Sequence, residues 1–363
     1  MRVTCIVGAR PNFMKVAPIL AAMRAYPALV ARLVHTGQHY DERMSTLFFR
    51  ELGLPQPDAY LGVGSGSHAV QTARVMELFD AELDQHPADV VLVVGDVNST
   101  IACALVAAKR NILVAHVEAG LRSRDRRMPE EINRILTDQI SDYLFTSERS
   151  ALENLTAEGI DAARVRFVGN VMIDTLVTHR AAAGTRTVVG DLGYQSKQYA
   201  LITLHRPSNV DTPEAAANTV AAIEAVAARL PVIIPLHPRT SGKLQQFDLL
   251  GRVTALPGAR VVEPQGYLDF LCLMDNAALV FTDSGGIQEE TTALGVPCLT
   301  FRDSTERPIT VTEGTNVLLG TEAAAVPAAV DAALKGRTGA RIPEYWDGKA
   351  SERIVSILVA GAS

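Results

Sequence analysis

An α/β protein with two parallel-sheet halves, each doubly wound, is what this sequence predicts, and three observations predict it. The chain has 363 residues, more than one hydrophobic core usually fills, so two domains are expected. Short apolar runs of strand character alternate with amphipathic helical stretches from end to end, the signature of parallel sheets covered by helices. That alternation occurs twice, with a crossing point near Gly169-Asn-Val-Met-Ile-Asp174. The expected domains are therefore 1–170 and 171–345, with 346–363 forming a helix that returns to the first domain.

The first half takes its strands from Arg2–Val7, Val30–His35, Val90–Val94, Ile112–Val117, Tyr143–Phe145 and Val165–Val168. Helical stretches at Met14–Ala25, Ala69–Leu83 and Ser99–Lys109 connect them. In the second half the strands are Tyr199–Leu204, Pro231–Pro235, Arg260–Val262, Ala278–Phe281 and Cys298–Phe301. Lys349–Ala360 reads as the last helix. In such folds ligands meet the C-terminal ends of the strands, here expected at a cleft between the halves.

Composition narrows the function. Hydrophobic residues make up 48% of the chain and charged residues 20%, as in an ordinary globular protein. A net charge of −6 gives no general attraction to nucleic acid or to an anionic membrane. No apolar run approaches the length of a membrane span, and the first residues read as a strand rather than a signal peptide. Cys5, Cys103, Cys272 and Cys298 lie far apart without metal-ligand spacing, which reads as reduced core cysteines of a cytoplasmic protein.

The chemistry concentrates at predicted strand ends. Phe281-Thr-Asp-Ser-Gly-Gly-Ile-Gln-Glu-Glu290 is a strand-to-helix turn. It aims unpaired N–H groups and the positive end of a helix dipole at whatever lies above. Gly285 and Gly286 let an anion approach the backbone, and Ser284 either caps the helix or meets a phosphate. Glu290, one turn further in, suits ribose hydroxyls, so the stretch as a whole suggests a nucleotide. Gly8-Ala-Arg-Pro-Asn-Phe-Met-Lys15 follows the first strand but lacks the G-x-G-x-x-G fingerprint of a dinucleotide site. It offers two cations instead: Arg10, in a turn stiffened by Pro11, and Lys15, at a helix start.

Asp96 and Glu118 each end an apolar strand, and neighbouring strands would bring them together. With the acids of Pro129-Glu-Glu131 they would form a cluster in which one carboxyl holds its proton more tightly, as a proton-transfer group requires. The alternative for each acid is a helix cap or a salt bridge to Arg122, Arg124 or Arg126, and Glu131 reads first as a dipole partner. His205 and Arg206 end the first strand of the second half, and His237 repeats the signal more weakly. His35, His39 and His116 read as structural. Gln265 and nearby aromatics precede the nucleotide turn, and the arginines of Arg302-Asp-Ser-Thr-Glu-Arg-Pro308 follow the next strand.

Taken together, these motifs resemble the bacterial non-hydrolysing UDP-N-acetylglucosamine 2-epimerases. The resemblance runs in order through Gly8-Ala-Arg-Pro, Thr36-Gly-Gln-His39, Val94-Gly-Asp96 and His116-Val-Glu-Ala-Gly-Leu-Arg122. It continues through Pro129-Glu-Glu-Ile-Asn-Arg134, His205-Arg206, the turn at Asp283–Glu290 and Arg302–Pro308. It implies two Rossmann-like domains of the glycosyltransferase-B type, a homodimer, and catalysis without NAD or metal. Arg10, Lys15, Ser284, Gly285, Gly286 and Arg307 would bind the UDP portion, Gln265 and Phe270 would frame the uracil, and Glu290 would hold the ribose. Asp96, Glu118 and Glu130 match the family's catalytic carboxylates and His205 its essential histidine, so the resemblance moves the catalytic role from Glu131 to Glu130. Gln38, Arg206 and His237 are candidates for a second, activating UDP-N-acetylglucosamine site. Two departures stand out: Ala9 and Asn12 replace the usual Thr and Glu, and Pro207-Ser-Asn-Val-Asp211 replaces a second arginine and a glutamate. An epimerase acting on a UDP-diacetamido-uronic acid, a hydrolysing epimerase, a UDP-sugar glycosyltransferase and a non-catalytic sensor remain as alternatives.

Overall fold

Strands buried on both faces must be apolar along their whole length, and Val90-Val-Leu-Val-Val94 shows the consequence, with every residue buried. The computed structural model describes residues 1–38, 50–335 and 340–361, and of Arg10 only the backbone. His39 and the Arg10 side chain therefore lie outside what is described. Two compact units are present, Met1–Thr178 with Glu344–Ser363, and His179–Pro343. Their boundary falls inside the helix Val171–Ala183 rather than ahead of it.

Among the described residues the first unit holds seven parallel strands in the order β3-β2-β1-β4-β5-β6-β7. These are β1 Arg2–Val7, β2 Val30–His35, β3 Ala59–Tyr60, β4 Val90–Val94, β5 Leu113–Val117, β6 Tyr143–Thr146 and β7 Val165–Phe167. Among its described residues the second unit holds six parallel strands in the order β10-β9-β8-β11-β12-β13. They are β8 Ala200–Thr203, β9 Val232–Pro235, β10 Ala259–Val262, β11 Leu279–Thr282, β12 Cys298–Thr300 and β13 Asn316–Leu318. Most bounds lie within a residue of those expected; β3 and β13 are additions. In each sheet the winding reverses once, between β1 and β4 and between β8 and β11. Loops at such a switch point diverge to opposite faces and leave room for a ligand.

Each sheet has its own core. Ile6, Val34, Val91 and Val93 pack with Val75, Phe79, Ala102 and Cys103 in the first unit. Ile202, Val232, Phe281 and Leu299 pack with Val220, Ile223 and Val226 in the second. The helix after β1 runs from Arg10 to Met23, earlier than expected. Arg10 is thus its first residue rather than part of a turn, Pro11 sits where a missing N–H costs nothing, and Lys15 lies in the second turn.

The last helix, Ala350–Gly361, packs in the first unit beside Arg10–Met23. Asp174 caps it from the side, accepting from the Ala350 N–H at 3.0 Å, the Ser351 N–H at 2.6 Å and the Ser351 hydroxyl at 2.5 Å. Replacing Asp174 by Ala strands those buried donors. Urea unfolding should show a loss of about 2 kcal/mol, with faster proteolysis of the C-terminal helix. Unchanged cleavage would show that packing alone holds the helix.

Candidate active site

In the first unit the switch point gathers Lys15, Asp96 and Glu118. β4 and β5 are neighbours, with Val94 opposite Val117, so the acids one and two residues beyond emerge side by side. The expected bare cluster of acids does not form, because buried cations are interleaved with it. Lys15 pairs with Glu118, both more than nine-tenths buried. Arg134 bridges Asp96 and Glu131 at 2.5 Å to each. Glu131 also accepts from the Ser123 N–H at 2.9 Å and the Arg124 N–H at 2.8 Å. Burial alone would raise its proton affinity, but these donors and Arg134 hold the carboxyl below its ordinary range. Glu131 is thus a structural clasp, and Glu130, half-buried beside it, is left at the helix start. Of the expected arginine partners, Arg122 pairs instead with Asp138 and Glu158, and the Arg124 side chain reaches Asn154.

The backbone here is under strain. Glu118 has φ +73°, a left-handed conformation uncommon for a residue with a side chain and concentrated at functional sites. Gly95 has φ +67°, and a Cβ there would stand 3.1 Å from the Lys15 ammonium. Asn12, a departure by sequence, has a defined task. Its Oδ1 accepts from the Gly8 and Ala9 N–H groups at 3.1 and 2.9 Å, and its Nδ2 donates to the Val94 carbonyl at 3.2 Å. The asparagine ties the first loop to the end of β4.

In the second unit Asp283, directly after β11, organises the switch point. Fully buried, it accepts from the N–H groups of His205 and Arg206 at 2.9 and 2.8 Å and from Asn209 at 3.0 Å. It also faces His205 Nδ1 at 3.1 Å. Burial works to raise this carboxyl, yet His205, Arg206 and Asn209 hold it below its ordinary range. The His205 ring stays 39% exposed, oriented from beneath. The His237 ring lies tilted against it, with ring centroids 5.2 Å apart.

The helix Gly285–Leu294 begins at Ser284, whose side chain makes no capping hydrogen bond among the described residues. Beneath its first turn lies a buried charge network. Arg307 reaches Glu289 at 2.8 Å and Glu306 at 2.7 Å. Arg302 reaches Glu306 at 2.9 Å and Arg206 approaches it at 3.6 Å. Glu306 is held far below the usual carboxylate range: burial opposes this, and the three guanidinium groups outweigh it. Arg307 therefore supports the helix start from below, with two of its nitrogens committed to carboxylates.

Glu290 accepts from the buried Tyr267 hydroxyl at 3.1 Å. Burial pushes its carboxyl up to about 8, against the pull of Tyr267, and neighbouring Glu289 adds to the rise. Gln265 and Phe270 flank Tyr267 and are both half-buried. Gln38 is committed internally: its Oε1 accepts from the Ser99 N–H at 2.9 Å and the Ser99 hydroxyl at 2.7 Å. Among the described residues, no group of three or more His, Cys, Asp and Glu side chains is arranged to hold a metal ion. No helix described is long and apolar enough to cross a membrane.

Two parallel doubly wound sheets, each with its polar residues at the switch point, place the chain in the glycosyltransferase-B-like class. The family model for UDP-N-acetylglucosamine 2-epimerase matches residues 21–359. A UDP-N-acetylglucosamine 2-epimerase of Methanocaldococcus jannaschii is 43% identical over 366 residues, spanning 99% of this chain and 100% of the relative. A UDP-2,3-diacetamido-2,3-dideoxy-D-glucuronate 2-epimerase of Pseudomonas aeruginosa is 42% identical over 367 residues, spanning 99% of each. The crystal structure of the M. jannaschii enzyme in complex with UDP-GlcNAc and UDP is similar at a TM-score of 0.93 and 42% identity, covering 99% of this chain and 100% of that one. This chain belongs to the UDP-N-acetylglucosamine 2-epimerase family.

Sequence reasoning missed Arg134, which holds Asp96 and Glu131, and the buried acids Asp138 and Glu289, which pair with Arg122 and Arg307. The spacing of Glu131 and Arg134, three apart on one helix, was the available signal.

Proposed function

We propose that this chain interconverts UDP-N-acetylglucosamine and UDP-N-acetylmannosamine without net hydrolysis, for surface polysaccharide synthesis. The observation that carries the reading is the pair of strand-end carboxylates, Asp96 and Glu118, each held by a buried cation at the first unit's switch point. C2 of an N-acetylhexosamine is not adjacent to a carbonyl, so direct removal of its proton is prohibitively slow. Elimination answers this. A carboxylate takes the C2 proton as the C1–O bond breaks, its electron pair leaving with UDP, and 2-acetamidoglucal remains. UDP then re-adds at C1 while a proton arrives at C2 from the opposite face.

Asp96, Glu118 and Glu130 transfer protons and stabilise positive charge at the sugar in this scheme. The N–H groups at Ser284, Gly285 and Gly286, with Arg10, Lys15 and His205, balance the departing diphosphate, and Arg307 steadies that helix start. Gln265 and Phe270 frame the uracil and Glu290 accepts from the ribose. Gln38, Arg206 and His237 remain proposals for an activating site, and a homodimer is the proposed assembly. The relative at 42% identity that acts on a diacetamido-glucuronate favours a second reading, the same chemistry on that UDP-sugar.

Proton NMR in D2O tests both. UDP-N-acetylglucosamine should yield UDP-N-acetylmannosamine carrying deuterium at C2 with little free sugar. Free N-acetylmannosamine with stoichiometric UDP would make the enzyme hydrolytic, and no exchange would hand the assignment to the uronic acid.

Glu290 gives the binding a pH dependence. Ribose hydroxyls donate best to an ionised carboxylate, so below pH 8 the ligand must displace the Glu290 proton. Affinity for the UDP-sugar, which has no group of its own titrating there, should rise from pH 6 to 8, by at most about tenfold per unit, and then level off. Calorimetry in two buffers of different ionisation enthalpy should register proton release at pH 7. A flat profile would remove Glu290 from the ribose site.

A further inference from the structure

We propose that His116 is a positioning residue that sets the place of both strand-end acids, acting through the Gly95 carbonyl and Asp138. This rests on the epimerase reading above. His116 lies within β5 and is completely buried, with no path to a substrate. One ring nitrogen, Nε2, lies 2.9 Å from the Gly95 carbonyl oxygen. A carbonyl only accepts, so Nε2 donates. Nδ1 faces the Asp138 carboxylate at 2.7 Å.

Both partners belong to turns that carry an acid. Gly95 immediately precedes Asp96 and adopts φ +67°. Its N–H donates to the Val117 carbonyl at 3.1 Å, so the turn is bonded at both ends to β5, through Val117 and His116. Asn133 then takes the Asp96 carbonyl at 2.9 Å and Arg134 its side chain. Asp138 serves the other turn. Its second oxygen accepts from the Gly120 N–H at 3.0 Å and from Arg122 at 2.7 Å. Gly120 closes the turn in which Glu118 holds its left-handed φ of +73°.

A strained backbone persists only where its surroundings over-determine it. His116 joins the two turns, and the spacing of Asp96 and Glu118 is what the reaction at C2 depends on. Misplacing a reacting group by about 1 Å costs roughly 100-fold in rate.

Two substitutions separate the two bonds. His116→Gln keeps an amide nitrogen at the reach of Nε2 and so the bond to Gly95. His116→Asn keeps a donor near Nδ1 but is too short for Gly95. The Asn variant should lose kcat about 100-fold while KM and the dissociation constant for UDP stay within about twofold. The Gln variant should recover to within about tenfold of the wild type. Equal losses in both variants, or losses that follow melting temperature together with UDP affinity, would overturn the inference and leave His116 a core residue. A wild-type chain inert on both UDP-sugars would instead overturn the epimerase reading, and the positioning role with it.

Discussion

Asp96→Asn should fold as the wild type does, bind UDP with unchanged affinity and lose C2 exchange by about 10²- to 10⁴-fold. The asymmetry follows from the partners. Arg134 sits between Asp96 and Glu131, so removing the charge of Asp96 leaves the guanidinium with Glu131 at 2.5 Å. The Asp96 side chain is also 31% exposed, so the amide meets solvent. Glu118→Gln should abolish exchange as well, but at a cost in stability. Glu118 faces Lys15 with side chains 7% and 8% exposed, and the amide leaves a buried ammonium without its counter-charge. Breaking such a pair from one side costs about 3–5 kcal/mol. Melting curves beside deuterium incorporation separate the outcomes. If Asp96→Asn retained exchange, the proton would be removed by another group, Glu118 or Glu130, and the scheme would be redrawn.

The sheets were legible because parallel strands buried on both faces leave continuous apolar runs, as at Val90–Val94. β3 escaped because two residues form no pattern, and β13 because its first residue is a buried asparagine. Asn316 donates to Gln288 at 3.1 Å and to Thr310 at 3.2 Å and accepts from Thr300 at 2.6 Å. Three partners satisfy a side chain that looks like a loop residue in the sequence. The site divided along the same line. Acids and histidines at strand ends stood out because strand ends are where an α/β fold displays its ligand groups. What neutralises them did not, since the cations come from far along the chain. Lys15 meets Glu118 across 103 positions and Arg134 meets Asp96 across 38. Proximity of that kind is created by sheet order, not by local spacing. The cluster of acids was therefore expected to be self-repelling, when Asp96, Glu118 and Glu131 are each held by a buried cation.

Gly285→Ala should weaken UDP binding about 100-fold, roughly 3 kcal/mol, without touching the first unit. Gly285 is the first residue of its helix and has no unusual φ, so its backbone tolerates a side chain. Space does not. A Cβ there would lie 2.6 Å from Glu306 Oε1 and 2.7 Å from Arg307 Nη1. These are not loose tips that swing aside. Glu306 is also ion-paired with Arg302 at 2.9 Å and Arg307 with Glu289 at 2.8 Å, and all four are buried. The methyl must lift the helix start away from the network or split an ion pair that has no water to replace it. Either way the N–H groups proposed to receive the diphosphate move relative to the cations that support them. Gly251→Ala, in a short helix with nothing within 4 Å of its added carbon, is the control and should leave affinity unchanged. Titration of UDP into the two variants decides the matter. Equal affinities would mean that the diphosphate is held by groups other than this helix start. The charge network beneath it would then serve only the fold.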